Sequence, residues 1–246
     1  MKTAPDPLEL CAQEPIRIPG AIQPHGALVL MRRSDGTVLQ QSANLASVTG
    51  VAGGAAPATL ADLLGRDFAD EIGGWLDGEE SHYLRRHVLP AGPVDVSGHR
   101  AKQGVILEFE PGEADARSDP FYPLLRRFME QTDGVAEIDR LCGMAARLAR
   151  ELTGFNRVMI YRFDAGWNGT VTAESGDGTL PSYLDLRFPA SDIPAQAREL
   201  YRLNRLRLIP DANYAPVPLS PPLCPVDGQP LDMSFAALRS VSPVHL

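Results

Sequence analysis

Cysteine is scarce in this 246-residue sequence: Cys11, Cys142 and Cys224 lie far apart, with no CxxC pair. That excludes a disulfide framework and a cysteine-based zinc motif, and it fits a reducing cytoplasmic setting. Long apolar runs are also missing. The longest clean one, from Ala27 to Met31, has the length of a strand, so no membrane span is read. Residues 1–10 carry acids and two prolines in place of a basic region followed by an apolar one, and no secretory signal is read there. Basic excess is absent: 23 Lys and Arg face 31 Asp and Glu, a net charge of −8. That balance argues against nucleic acid and membrane surfaces as partners. There is no internal repeat and no low-complexity tract. What remains is an ordinary apolar content of 44% in a chain longer than one average domain, enough for two compact units with real cores.

The order of elements is α+β. Ala27 to Arg32 and Thr37 to Ala43, joined at Ser34-Asp35-Gly36, read as a hairpin. Thr59 to Leu64 and Asp67 to Leu76 read as short helices. His82 to Leu89, Val94 to Ala101 and Val105 to Glu110 read as an antiparallel meander. The polar stretch from Pro111 to Pro120 is the best domain boundary, and Ser118-Asp119-Pro120 is placed to cap a helix running to about Gln131. A second helix covers Ile138 to Leu152. Ile138, Leu141, Ala145, Leu148 and Leu152 form its buried stripe, and Gly154 ends it. Arg157 to Phe163 and Thr170 to Glu174 read as strands. Ile193 to Leu203 reads as a helix capped by Asp192, and Arg207 falls on a short strand. Residues 209–232 are proline-rich and aperiodic, a length of loop that is usually functional or disordered. From Met233 a helix resumes.

Several residues invite a chemical reading, and each has a bland one beside it. Cys11 sits in an irregular, proline-flanked arm, where a thiol near a cation becomes nucleophilic but is more often incidental. Ile22-Gln23-Pro24-His25-Gly26 is a rigid lead into the first strand, with His25 an ordinary satisfied polar residue. Asp192, within Phe188-Pro189-Ala190-Ser191-Asp192-Ile193-Pro194, is either a helix cap or an acceptor pointed into a pocket. Arg207 and Arg239 suit bidentate carboxylate binding, although surface arginines are usually just solvated. His245, Tyr161 and Tyr201 read first as core residues.

Taken in order, these segments resemble the bacteriophytochrome photosensory module. Cys11 followed by Glu14-Pro15-Ile16-Arg17-Ile18-Pro19-Gly20 and Ile22-Gln23-Pro24-His25-Gly26 is similar to that family's bilin-attachment arm and the start of its PAS domain. Leu152 to Tyr161 resembles its GAF opening, Pro189 to Arg198 its most distinctive motif, and Leu238 to Leu246 its pocket segment. The likeness runs from about residue 8 to the last residue.

The resemblance implies a red/far-red photoreceptor. Residues 1–25 would form the attachment segment, 26–112 a PAS domain, and 119–246 a GAF domain truncated at its C-terminus. Antiparallel sheets flanked by helices would be joined by a figure-eight knot, with the arm passing through the 209–232 loop near Ile22. Biliverdin IXα, a linear tetrapyrrole, would be held by a thioether to Cys11. Asp192 would offer its carbonyl to the pyrrole N–H groups, and His245 would lie by the ring nitrogens or a propionate. Arg207 and Arg239 would take the propionates. Tyr161, Tyr201, Met159 and Phe188 would surround ring D, with Ile193 and Ser242 also at the pigment. A homodimer, and downstream PHY and histidine-kinase domains outside this chain, are further implications.

Ala236 and Ala237 stand where plant and cyanobacterial relatives keep an attachment cysteine, which favours Cys11 and biliverdin. Cys224 is the remaining candidate thiol. Since the chain stops at Leu246, before the family's second pocket histidine, its pocket is expected to be incomplete and to bind bilin poorly alone. A pigment-free GAF/PAS small-ligand sensor is the competing reading. A thiol hydrolase built on Cys11 with His25 or His245 and Asp192 lacks the rigid, oriented base that such catalysis needs.

Overall fold

The computed structural model describes residues 14–51, 58–112 and 121–241. The chain divides into two compact units: residues 1–114 together with 195–246, and residues 115–194.

The first unit is built on a seven-stranded antiparallel sheet. Its strands are β1 (Ala21–Ile22), β2 (Ala27–Met31), β3 (Val38–Ser42), β4 (His82–Leu89), β5 (Gly92–Ala101), β6 (Gly104–Pro111) and β10 (Val217–Ser220), in the order β1-β10-β3-β2-β6-β5-β4. Helices α1 (Leu45–Thr49), α2 (Leu60–Leu64) and α3 (Arg66–Asp77) pack on one face. Thr59 starts α2 with a capping box: its hydroxyl accepts the Asp62 N–H at 3.2 Å, and its own N–H donates to the Asp62 carboxylate at 2.9 Å.

The alternation along β2 and β6 explains why β2 reads as an unbroken apolar run. Ala27, Val29, Met31, Val105, Leu107 and Phe109 face the helices, against Leu60, Phe68, Ile72 and Trp75. Leu28, Leu30 and Ile106 face the other way, against Cys224, Leu231, Met233 and Leu238. Both faces of the strand are covered, so no polar residue is wanted at any position. Each of these side chains larger than alanine contributes about 1.5–3 kcal/mol relative to exposure.

Residues 20–23 have backbone partners on two sides. On one side Ala21 and Ile22 pair with Pro218 and Val217, and the Leu219 N–H donates to the Gly20 carbonyl. On the other, Gln23 N–H donates to Leu238 O at 2.7 Å, Ser240 N–H donates to Ala21 O at 3.1 Å, and Ile22 bridges to Arg239. The Met233 N–H reaches Arg17 O at 2.8 Å.

His99, on β5, is 6% exposed and meets the Phe235 ring edge-on at 6.0 Å. Burial, then the neighbouring His82, holds its pKa down to about 4, against a smaller pull from Asp232. With a folded pKa below the unfolded value, the imidazole costs nothing above pH 6.5 and destabilises progressively as pH falls from 6.5 to about 4. The expected loss is at most about 3 kcal/mol. Denaturant unfolding of wild type and His99→Gln at a series of pH values should give curves that diverge only in that window. Parallel curves would refute the assignment.

The second unit holds a three-stranded sheet, β7 (Arg157–Phe163), β8 (Gly169–Gly176) and β9 (Arg187–Phe188), with β8 central. Helices α4 (Phe121–Thr132) and α5 (Ile138–Thr153) accompany it. On β8 the buried positions alternate, with Gly169, Val171 and Ala173 on one face. Gly154 ends α5 in the left-handed conformation, its N–H donating to Arg150 O, as its place in the sequence implies.

Several local expectations are corrected. The stripe on α5 is not uniformly buried: Ile138 is 63% exposed, and the residues fully covered are Met144 and Ala146. Asp192 does not cap a helix. It ends a 3-10 turn, Ala190–Asp192, because Ile193 precedes Pro194 and is held extended at φ −126°, ψ 94°. The following helix, α6 (Ala195–Leu203), starts only after that proline and belongs to the first unit. Arg207 lies on irregular chain instead of a strand, and residues 233–241 form turns and extended chain, with no helix. The 209–232 loop is in turn less irregular than its composition suggests. It contributes β10, which Pro218, lacking an N–H, hides from a strand pattern.

Candidate functional site

In the second unit the site residues gather around a glycine. Gly169 pairs with Phe163 on β7 and Phe188 on β9. A Cβ at position 169 would lie 2.7 Å from Tyr161 Cδ1, so the ring occupies the space a side chain would need. Tyr161 stacks on Phe163 at 6.3 Å and meets Phe188 at 5.8 Å, and Phe188 meets Tyr183 at 5.8 Å. The Arg157 guanidinium lies 4.0 Å from the Tyr183 ring centre. A small cavity is lined by Tyr161, Phe163, Phe188, Pro189, Asp192 and Ile193 beside Gly169. Asp192 is exposed, its backbone N–H donates to Pro189 O, and the residue is part of the cavity lining. Met159, two residues before Tyr161 on β7, is not part of that lining.

In the first unit two arginines come together. Arg239 is 9% exposed; its guanidinium donates to Ile16 O at 2.9 Å, while its buried Nε has no partner. Arg207 is half-buried and donates to Ala237 O at 3.2 Å. Burial lowers both pKa values, Arg239 to about 10, and the Arg207 charge lowers Arg239 further. Tyr201, on α6, and Tyr214 lie near enough to raise Arg207 again. Among the described residues, no carboxylate forms an ion pair with either guanidinium. Two like charges drawn largely out of water with no carboxylate in direct ion-pair contact are costly. An orphaned donor beside them is what a carboxylate-bearing ligand would satisfy.

Two further buried polar residues lie beside this pair: Glu108, to which no sequence motif points, and Gln23, which the sequence marks only as part of the lead into β2. Glu108 is fully buried on β6, and both its oxygens accept backbone N–H groups, from Leu238 at 2.7 Å and Ala237 at 3.1 Å. Burial raises its pKa to about 7, partly offset by those two N–H donors. Gln23 is fully buried and donates to Leu208 O at 2.9 Å and, weakly, to Arg239 O at 3.4 Å. The available signal was an acid amid the apolar run Val105-Ile106-Leu107-Glu108-Phe109. His25 Nε2 lies 3.6 Å from Glu110, with its pKa lowered chiefly by burial. Cys11, Ser242 and His245 lie outside the described residues.

Comparison with known proteins places this arrangement. A family model described as the PAS fold matches residues 11–112. The crystal structure of the chromophore-binding domain of an unusual bacteriophytochrome from R. palustris superposes with a TM-score of 0.84 at 39% identity, covering 96% of this chain and 78% of that one. A bacteriophytochrome of Xanthomonas campestris pv. campestris is 43% identical over 100% of this chain and 40% of its own length. Cyanobacterial phytochrome B of Nostoc sp. is 40% identical over 97% of this chain and 33% of its own. The fold is thus the mixed helix-and-sheet, antiparallel arrangement of a phytochrome chromophore-binding domain. The chain belongs to the bacteriophytochrome family. It spans a third to two fifths of the length of these curated relatives.

Proposed function

We propose that this chain is the light-sensing part of a red/far-red photoreceptor that holds biliverdin IXα, a linear tetrapyrrole, through a thioether to Cys11. The observation that carries the reading is the pairing of half-buried Arg207 with buried Arg239, neither in an ion pair with a carboxylate among the described residues, and with Arg239 Nε unpartnered. A dicarboxylate pigment supplies the two missing anions, and Arg207 and Arg239 are the residues that hold them. Asp192 offers its carbonyl to the pyrrole N–H groups. Tyr161, Tyr201, Met159, Phe188 and Ile193 provide the apolar and aromatic surroundings, and Ser242 and His245 complete the polar contacts. When bound, the pigment supplies absorption of red light and isomerisation about the bond between its C and D rings. The protein's part is to hold two states of similar stability, each with its own contacts.

The same reading divides the chain into an attachment segment (1–25), a PAS domain (26–112) and a GAF domain (119–246). The two-sided hydrogen bonding of residues 20–23 supports passage of the arm through the 209–232 loop, a knotted exception to ordinary topology. Exposed Phe121, Tyr122, Met129 and Ile138 on α4 and α5 support a homodimer. In the full-length protein the signal passes to a histidine kinase in the cytoplasm. This chain is its sensor and carries no catalytic residues.

The test is an absorption spectrum of the full-length protein with biliverdin, before and after red light. A new red band that converts to a different band on illumination is expected. A spectrum identical to free biliverdin, unchanged by light, overturns the reading.

A further inference from the structure

The peptide that carries Arg239 is fastened at every turn. The Ala237 N–H donates to one Glu108 oxygen and the Leu238 N–H to the other. The Ala237 carbonyl accepts from Arg207, and the Leu238 carbonyl accepts the Gln23 N–H. The Gln23 side chain then reaches the carbonyls of Leu208, next to Arg207, and of Arg239 itself. Ala237 is therefore a node: its N–H is set by Glu108 and its C=O sets Arg207. Residues two positions apart on the chain thereby place the two guanidiniums.

We propose that Glu108 is a positioning residue for the arginine pair: by gripping the amides of Ala237 and Leu238 from β6, it sets how tightly Arg207 and Arg239 hold a dicarboxylate ligand. The inference rests on the reading of that pair as the carboxylate-binding site. A bland role as a buried structural acid explains less. A fully buried carboxyl is costly unless its oxygens are satisfied, and both here are spent on this one segment. A second alternative makes Glu108 merely a counter-charge to Arg207, which it does influence. The two roles predict opposite signs. Removing a counter-charge frees the arginines and tightens anion binding, whereas removing a positioning contact weakens it.

The experiment titrates biliverdin and biliverdin dimethyl ester into the full-length protein in a Cys11→Ala background, where binding is reversible. The parent should prefer the free acid at least about tenfold, as two charge-assisted contacts imply. Glu108→Ala should weaken the free acid by roughly tenfold while leaving the ester within about twofold. Glu108→Gln keeps one acceptor oxygen and should fall between, at about threefold; it decides between the roles if the alanine variant does not fold. Tighter binding of the free acid in either variant overturns the proposal in favour of a counter-charge. Equal weakening of acid and ester overturns it in favour of a general structural role. Preference retained in full by both variants overturns it while leaving the arginine site intact. A parent that binds neither compound, or does not prefer the acid, removes the arginine reading itself and the proposal with it.

Discussion

Cys11→Ala should leave no biliverdin attached after denaturing electrophoresis, where the unsubstituted protein gives a zinc-fluorescent band. The expected effect is total, because no other thiol is placed to substitute. Cys224 is fully buried between Leu219, Leu231 and Met233, with its backbone tied to Gln229 and Gly228. A thioether cannot form on a sulfur that a ligand cannot reach. Cys142 lies on α5, half-buried, in the second unit. Cys11 precedes Glu14 by three residues, and from Glu14 onward the arm is held down: Ile16 O accepts Arg239, and Ile16, Pro19, Ser240 and Val241 share one groove. Cys142→Ser and Cys224→Ala should therefore keep the fluorescent band. A band that survives in Cys11→Ala and disappears in either of the other two would refute the assignment.

Gly104→Ala should destabilise the chain by more than about 3 kcal/mol, a Tm fall of the order of 10 °C or more. Gly104 opens β6 at the turn from β5, with φ +158°. A Cβ there would lie 2.2 Å from the Met31 carbonyl oxygen and 3.3 Å from Leu30 Cδ1. The obstacle is backbone, and it belongs to β2, which is covered on both faces and pairs with β6 from Ala27 to Met31. Neither strand can retreat without breaking that ladder or opening the core. Gly92, at the other end of β5 with φ +127°, is the control, because nothing lies within 4 Å of its virtual Cβ. Gly92→Ala bears only the backbone strain, about 1–2 kcal/mol. Thermal unfolding of both variants checks this; equal losses would show that the Met31 contact is not what matters.

Much of the fold is legible in the sequence, for identifiable reasons. The meander from His82 to Glu110 declares itself because its strands are long and separated by short turns. The end of α5 declares itself because a glycine has to take the left-handed conformation there. What stays hidden depends on distant chain. β10 is a strand only because β1 and β3 flank it, from the opposite end of the sequence. The helix expected at Ile193 fails on a local rule, the restriction of a residue before proline, that outweighs the capping signal of Asp192.

The candidate site divides in the same way. Tyr161, Phe188, Asp192 and Ile193 surround one cavity, as the motif around Asp192 suggests. Arg207 and Arg239 are brought together although they lie 32 positions apart; Arg239 falls within a quoted motif, whereas Arg207 stands out only as an arginine suited to carboxylate binding. Glu108 and Gln23 were not legible as site residues. Their significance lies in which backbone groups they satisfy, and no periodicity encodes that.

The late-sequence cover over one face of β2 and β6 also has a consequence during synthesis. Residues 27–31 and 105–109 leave the ribosome early, yet much of the cover over Leu28, Leu30 and Ile106 comes from late residues, among them Leu219, Cys224, Leu231, Met233 and Leu238. At cellular translation rates the nascent sheet keeps that apolar face open for on the order of ten seconds. A chaperone that binds extended apolar surface has its opportunity in that interval, and a synonymous change that slows translation between residues 112 and 238 would lengthen it.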